Sequence, residues 1–158
     1  MNTELLGVDV GGVLVDRIRA DGSDTSFFSD RFLETPAVAG AFETLARLGR
    51  ERFGQRICIV SKCGPRTEEK TCLWLAHHKL LDVLGLNEQA LHFCRKRPDK
   101  APICKRLGVT HFIDDRVDVL VHLTSVRHRI LFGPQELGVN AKGMMRAETW
   151  NEVAAKLL

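Results

Sequence analysis

The segment Glu4 to Asp16, ELLGVDVGGVLVD, constrains this chain most, because its apolar run delivers one carboxylate, Asp9, into a glycine pair before apolar character resumes. The residues from Leu5 to Val10 run almost continuously apolar rather than alternating, which predicts a strand buried on both faces. An ionised carboxylate at the end of such a strand is costly to bury unless a cation or hydrogen-bond donors meet it. Gly11 and Gly12 carry no Cβ, so backbone can approach a ligand closely there. The segment therefore predicts a strand end that faces an anion or a metal ion.

Downstream, short apolar segments and helical periodicities alternate. Residues 16–36 read as a polar loop in which Phe27 and Phe28 either anchor the loop or contribute to a lid, with anchoring favoured. Pro36 to Leu48 has helical spacing closed by Gly49; Ile57 to Val60 is a β-branched strand ending at Ser61; Glu68 to Leu81 is a second helix. Ala90 to Cys94 reads as a strand, followed by a helix from Lys100 to Leu107 with Asp99 as its N-cap and Gly108 as its stop. His111 to Ile113 is a strand ending at Asp114 and Asp115, Val117 to Leu123 a helix, Arg129 to Phe132 a fifth strand and Ala147 to Leu158 the closing helix. This alternation predicts an α/β, Rossmann-like three-layer sandwich with a mostly parallel five-stranded sheet. In such sheets ligands sit beyond the carboxyl ends of the strands, where Asp9, Ser61, Asp114 and Asp115 all fall.

Composition removes several classes. At 158 residues, 44% hydrophobic and 27% charged, the chain suits one ordinary globular domain, expected over 1–158. The first residues lack the pattern of a secretory signal and no membrane-spanning run occurs, so a cytoplasmic location without membrane partners is expected. Five cysteines without CxxC spacing argue against a disulfide framework or a zinc knuckle. The histidines show no HExxH spacing, and GxGxxG is absent. Net charge is only +3, but Arg95, Lys96, Arg97, Lys100, Lys105 and Arg106 crowd one segment that can attract phosphate or serve as a solvated face. Nucleic-acid binding is weakly supported, since only Phe93 offers an aromatic ring nearby.

Four segments, LLGVDVGGVL, ICIVSK, RPDKAPICKRLGV and THFIDDR, together resemble the motifs of the haloacid dehalogenase-like (HAD) hydrolase superfamily, in its order and over nearly the full length. The resemblance implies a magnesium-dependent phosphatase or phosphotransferase that works through an aspartyl-phosphate. Asp9 would be the nucleophile and a metal ligand, Ser61 with Gly11 and Gly12 would bind phosphoryl oxygens, and Lys100 would neutralise charge. Asp114 and Asp115, with the Gly11 carbonyl, would complete the Mg2+ site, oxygen donors being suited to that ion. Lys96 is an alternative to Lys100, and Asp118 is either a further acidic-motif residue or a helix cap.

One departure matters. The superfamily's phosphatases usually carry a second aspartate two residues after the first, as general acid and base, and here that position is Gly11. Loss of such a group costs about 10²–10⁴-fold in rate. Two readings follow: a hydrolase of phosphorylated, possibly macromolecular, substrates, or a HAD-like domain that binds metal, phosphate or a partner without turnover. The chain has no room for a full cap domain, so the resemblance implies an open site. A likeness of GVDVGG to sugar kinases and actin-like ATPases fails on length, because those folds need two large lobes.

Overall fold

The structure is a computed structural model that describes residues 3–16, 27 and 29–158. Among these, six strands form one sheet: β1 (Leu6–Val8), β2 (Ile57–Lys62), β3 (Leu91–Cys94), β4 (His111–Asp114), β5 (His128–Phe132) and β6 (Met145–Ala147), in the order β3-β2-β1-β4-β5-β6. Every pairing is parallel. The chain runs outward from β1 to β3, returns to lay β4 beside β1, and runs outward the other way. Strand order thus reverses between β1 and β4, and the carboxyl ends of those two strands flank the crevice in which doubly wound sheets bind ligands.

The helices are α1 (Ala41–Leu48), α2 (Pro65–His77), α3 (Leu80–Leu84), α4 (Lys100–Leu107), α5 (Val117–Leu120) and α6 (Trp150–Leu157). Alternate strand residues point to opposite faces, and the core divides accordingly. Leu6, Val8, Ile57, Ile59, Ile113 and Ile130 pack with Leu45, Trp74, Leu75 and Trp150 on one face. Cys58, Val60, Phe112 and Leu131 pack with Cys104 and Leu120 on the other. Strands buried on both sides explain why the sequence shows apolar runs instead of alternation. Gly7 belongs to the second face, where a Cβ would lie 2.5 Å from the Phe112 ring, so β1 accepts only glycine there without a shift of that ring.

Several expected boundaries move. The sheet has six strands, not five: Met145–Ala147 pairs parallel with β5, and the closing helix starts at Trp150, with Thr149 as a cap whose hydroxyl accepts from the Glu152 N–H at 3.2 Å. Gly49 does not stop the first helix but sits in αR conformation and leads into a π-helical turn through Phe53, which ends at Gly54 with φ +60°. The second helix is broken at Lys79, whose φ of 59° interrupts the α-helical backbone between α2 and α3. Asp99 is not an N-cap; it lies in αR conformation at the end of a 3-10 turn, Arg97–Asp99, that leads straight into α4. β1 ends two residues before Val10, β2 extends through Ser61 to Lys62, and α5 closes at Leu120.

Phe27 is buried in the core and meets Phe32 edge-on at 6.3 Å, an anchoring role; residues 17–26 and Phe28, also read as loop, lie outside the described residues. Trp74 and Trp150 are fully buried packing residues. No helix among the described residues is long and apolar enough to cross a membrane.

Candidate active site

Asp9 directly follows β1, and its N–H donates to the Ile113 carbonyl of β4 at 3.0 Å. The chain then turns tightly: the Val10 carbonyl accepts from the N–H groups of Val13, Leu14 and Val15 at 3.2, 2.8 and 3.0 Å. Gly12, at φ +78°, permits this turn and donates its N–H to the Val15 carbonyl at 2.9 Å. Val13, Leu14 and Val15 are completely buried, and the Trp150 indole donates to the Val13 carbonyl at 2.9 Å. The apolar residues after the glycine pair thus seat the turn in the core and fix the backbone that carries Asp9.

Lys100, the first residue of α4, points into the same crevice. It is 2% exposed, and its Nζ donates to Asp9 Oδ1 at 2.9 Å and to Asp114 Oδ2 at 2.8 Å. Lys100, rather than exposed Lys96, is therefore the lysine that reaches the carboxylates. Asp114 ends β4 and is fully buried; its Oδ1 accepts from the Arg116 N–H at 3.0 Å. Asp9, Asp114 and Asp115 bring one carboxylate oxygen each to within 4.8 Å of one another.

One ammonium between two carboxylates, with a third beside them, leaves the buried cluster itself short of positive charge. Burial alone pulls the Lys100 pKa down, but the charges of Asp9 and Asp114 outweigh it and raise the pKa overall. For Asp114, burial and then the Asp9 charge push the carboxyl well above its ordinary range, and Lys100 only partly opposes them. Both directions express a cluster that holds its proton or a cation tightly. Three carboxylates form a hard oxygen donor set, so a divalent cation such as Mg2+ fits the site and would supply the missing charge.

A cavity of about 120 Å3 opens on this cluster, lined by Asp9, Gly11, Ser61, Lys62, Arg97, Lys100, Asp114, Asp115, Arg116 and Val119. The structure thus gathers Asp9, Gly11, Ser61, Lys100, Asp114 and Asp115 from four separate segments, whereas Gly12 stands apart from the cavity and serves the turn. Ser61 is buried near the end of β2. Asp118 does not join the acidic cluster: it is half-exposed and bound to Arg116 Nε at 3.2 Å and Arg97 Nη1 at 3.1 Å. Arg95 turns away, to Glu68 at 2.9 Å and the Cys63 carbonyl at 3.0 Å. Lys62 is a lining residue that the sequence reading missed; its only signal is that it follows Ser61. Cys63 is buried, and burial raises its thiol pKa, which keeps it inert near the site.

No family model matches the chain. Among solved structures, it is similar to a dehalogenase determined with an intermediate complex (TM-score 0.64, 14% identity, 99% of this chain and 98% of that one). It is also similar to a HAD family hydrolase from Deinococcus radiodurans R1 with bound phosphate and sodium (TM-score 0.58, 17% identity, 98% of this chain and 94% of that one). Among curated proteins, the "Putative nucleotidase" of Oceanobacillus iheyensis is 26% identical over 121 residues, 77% of this chain. The matched region spans 61% of that relative's length.

Proposed function

We propose that this chain, which has the haloacid dehalogenase-like fold, is a Mg2+-dependent phosphoryl hydrolase or phosphotransferase whose nucleophile is Asp9. The observation that carries this reading is the buried bridge of Lys100 between Asp9 and Asp114 at the reversal of strand order, with Ser61 and Asp115 beside it. A structural domain has no need of that arrangement, since buried ionic groups are stabilising only when fully compensated.

Asp9, Asp114, Asp115 and the Gly11 carbonyl would hold the cation, which supplies charge neutralisation to the transferring phosphoryl group. Asp9 attacks phosphorus through a carboxylate oxygen and forms an aspartyl-phosphate, which water then hydrolyses. Lys100 fixes the orientation of Asp9 through Oδ1 and lowers the repulsion between carboxylate and phosphate. The Ser61 hydroxyl and the Gly11 N–H donate to the phosphoryl oxygens. The bound phosphate of the Deinococcus hydrolase and the name of the Oceanobacillus relative support a phosphorylated, nucleotide-sized substrate, reached through a site without a full cap domain. Gly11 favours a second reading, a domain that binds metal and phosphate without turnover, because it supplies no acid.

Assay of the purified protein with Mg2+ against a phosphate panel, beside Asp9→Asn, decides between them. Turnover lost in Asp9→Asn supports the hydrolase; turnover unchanged by that substitution refutes Asp9 as nucleophile. Mg2+ binding with no turnover of any compound establishes the binding domain.

A further inference from the structure

We infer that the substrate is a phosphoanhydride, in which the transferred phosphoryl group is joined to a second phosphate, as in a nucleoside diphosphate, and that Arg97 and Arg116 at the cavity rim hold the phosphate that departs. The inference rests on the phosphoryl-transfer reading above, and two independent features of the cavity lead to it.

The first is that the described residues supply no spare acid. Among the described residues lining the cavity, the carboxyl groups are the three of the acidic cluster, and no histidine, cysteine or further carboxyl stands with them. Position 11 presents backbone only. Cleavage of an alcohol's phosphate ester expels a strongly basic alkoxide that needs a proton as it leaves. A departing phosphate needs none, because it is a weak base with a second pKa of about 6 and spreads its charge over several oxygens. What it needs is cations.

The second feature supplies them. Lys62, Arg97 and Arg116 line the cavity in addition to Lys100, whose charge is already committed to Asp9 and Asp114. Arg97 comes from the 3-10 turn before α4 and Arg116 precedes α5, yet both guanidinium groups close on one carboxylate, Asp118, at 3.1 and 3.2 Å. This draws two arginines from separate elements to the same mouth. The cavity lining thus pairs a buried acidic cluster, Asp9, Asp114 and Asp115, with three further cations, Lys62, Arg97 and Arg116, that stand nearer to solvent. The Asp118 pairs are half-exposed, and screening by solvent leaves such pairs weak. A phosphate can therefore engage the guanidinium groups at little cost, in the bidentate manner that suits arginine.

The reaction balances without an external acid. An Asp9 oxygen bonds to the terminal phosphorus, the bond from that phosphorus to the bridging oxygen breaks, and the bridging oxygen leaves with the electron pair as part of the second phosphate. Water then attacks phosphorus, the Asp9–phosphorus bond breaks, and the carboxylate is restored. Of the two protons of water, one stays on the inorganic phosphate formed and one passes to solvent.

The test compares kcat/KM, with Mg2+, for a nucleoside diphosphate, the matching monophosphate and p-nitrophenyl phosphate, a monoester with a weakly basic leaving group but no second phosphate. Calorimetric binding of a methylene-bridged, non-hydrolysable diphosphate is measured alongside for the native protein and for the double variant Arg97→Ala/Arg116→Ala. The diphosphate should exceed the monophosphate by about 10²-fold, the low end of what a missing acid costs the latter. In the double variant, the ratio of diphosphate to p-nitrophenyl phosphate turnover and the analogue's affinity should each fall about tenfold or more, the loss expected for charge-assisted hydrogen bonds. A monophosphate cleaved as fast as the diphosphate, or analogue binding untouched in the double variant, overturns the inference. If p-nitrophenyl phosphate is cleaved in an Asp9-dependent way without preference for the diphosphate, this inference alone fails; if nothing is cleaved, the phosphoryl-transfer reading fails and takes this inference with it.

Discussion

Replacing Lys100 by methionine retains the length and apolar stem of the side chain and removes the ammonium that Asp9 and Asp114 share at 2.9 and 2.8 Å. Asp114 is fully buried and Asp9 nearly so, so the variant leaves two carboxylates facing each other away from water. Removing one partner of a buried ion pair costs roughly 3–5 kcal/mol. With a urea slope of about 2 kcal/mol/M, the unfolding midpoint at pH 7 in EDTA should drop by about 2 M. The pH dependence is specific. A carboxyl whose folded pKa lies above its unfolded value binds more protons when folded, so stability falls as pH rises through that window. Asp114 is already such a group, through burial and the Asp9 charge, and loss of Lys100 raises it further. The deficit relative to the native protein should therefore be largest at neutral pH and shrink towards pH ~5 as Asp114 takes up a proton. A midpoint shift below about 0.5 M at pH 7, or one equal at both pH values, would refute the claim that a buried charge deficit organises this crevice.

Three further outcomes follow from the fold. Gly7→Ala puts a Cβ 2.5 Å from the Phe112 ring and should destabilise by about 1–3 kcal/mol in thermal unfolding. Lys79→Gly relieves a left-handed residue at φ 59° between α2 and α3 and should stabilise by about 0.5–1 kcal/mol in the same measurement. His111 is buried, stacked on His128 at 4.4 Å, and its pKa is lowered from 6.5 to about 4, chiefly by burial, then by the charges of His128 and Arg52. The unfolded chain binds that proton more readily, so about 3 kcal/mol of stability, present above pH 6.5, should be lost as pH falls to about 4, and His111→Gln should flatten this part of the urea-midpoint profile.

The site was legible in the sequence to the extent that strand ends define it. Asp9, Ser61 and the Asp114–Asp115 pair each interrupt or close an apolar run, and a carboxylate there is conspicuous because burial makes it costly. Lys100 was readable from its place ahead of a helical periodicity, although for a different reason than expected, since Asp99 caps nothing and a 3-10 turn starts the helix. The Arg97–Asp118–Arg116 bridge was not readable as a unit: residues in separate elements meet through tertiary packing, and local spacing carries no trace of it. Asp118 alone therefore suited an acidic motif or a cap equally well. The sixth strand escaped for a related reason. Met145–Ala147 is three residues without an apolar run, and it is a strand only because β5 offers an edge. Gly49 and Lys79 invert the usual conformational preferences of their residue types, glycine continuing a helical backbone and lysine adopting the left-handed region, so propensity misplaced both boundaries.

The central claim is that Asp9 accepts the phosphoryl group. Acid quenching during turnover with Mg2+ and a nucleoside diphosphate, followed by peptide mass spectrometry, tests it most directly. A phosphoryl adduct on the peptide carrying Asp9, acid-stable and hydroxylamine-labile, and absent from Asp9→Asn, is the predicted result. Turnover of the same substrate with the adduct on another residue, or with full activity retained in Asp9→Asn, would contradict the account.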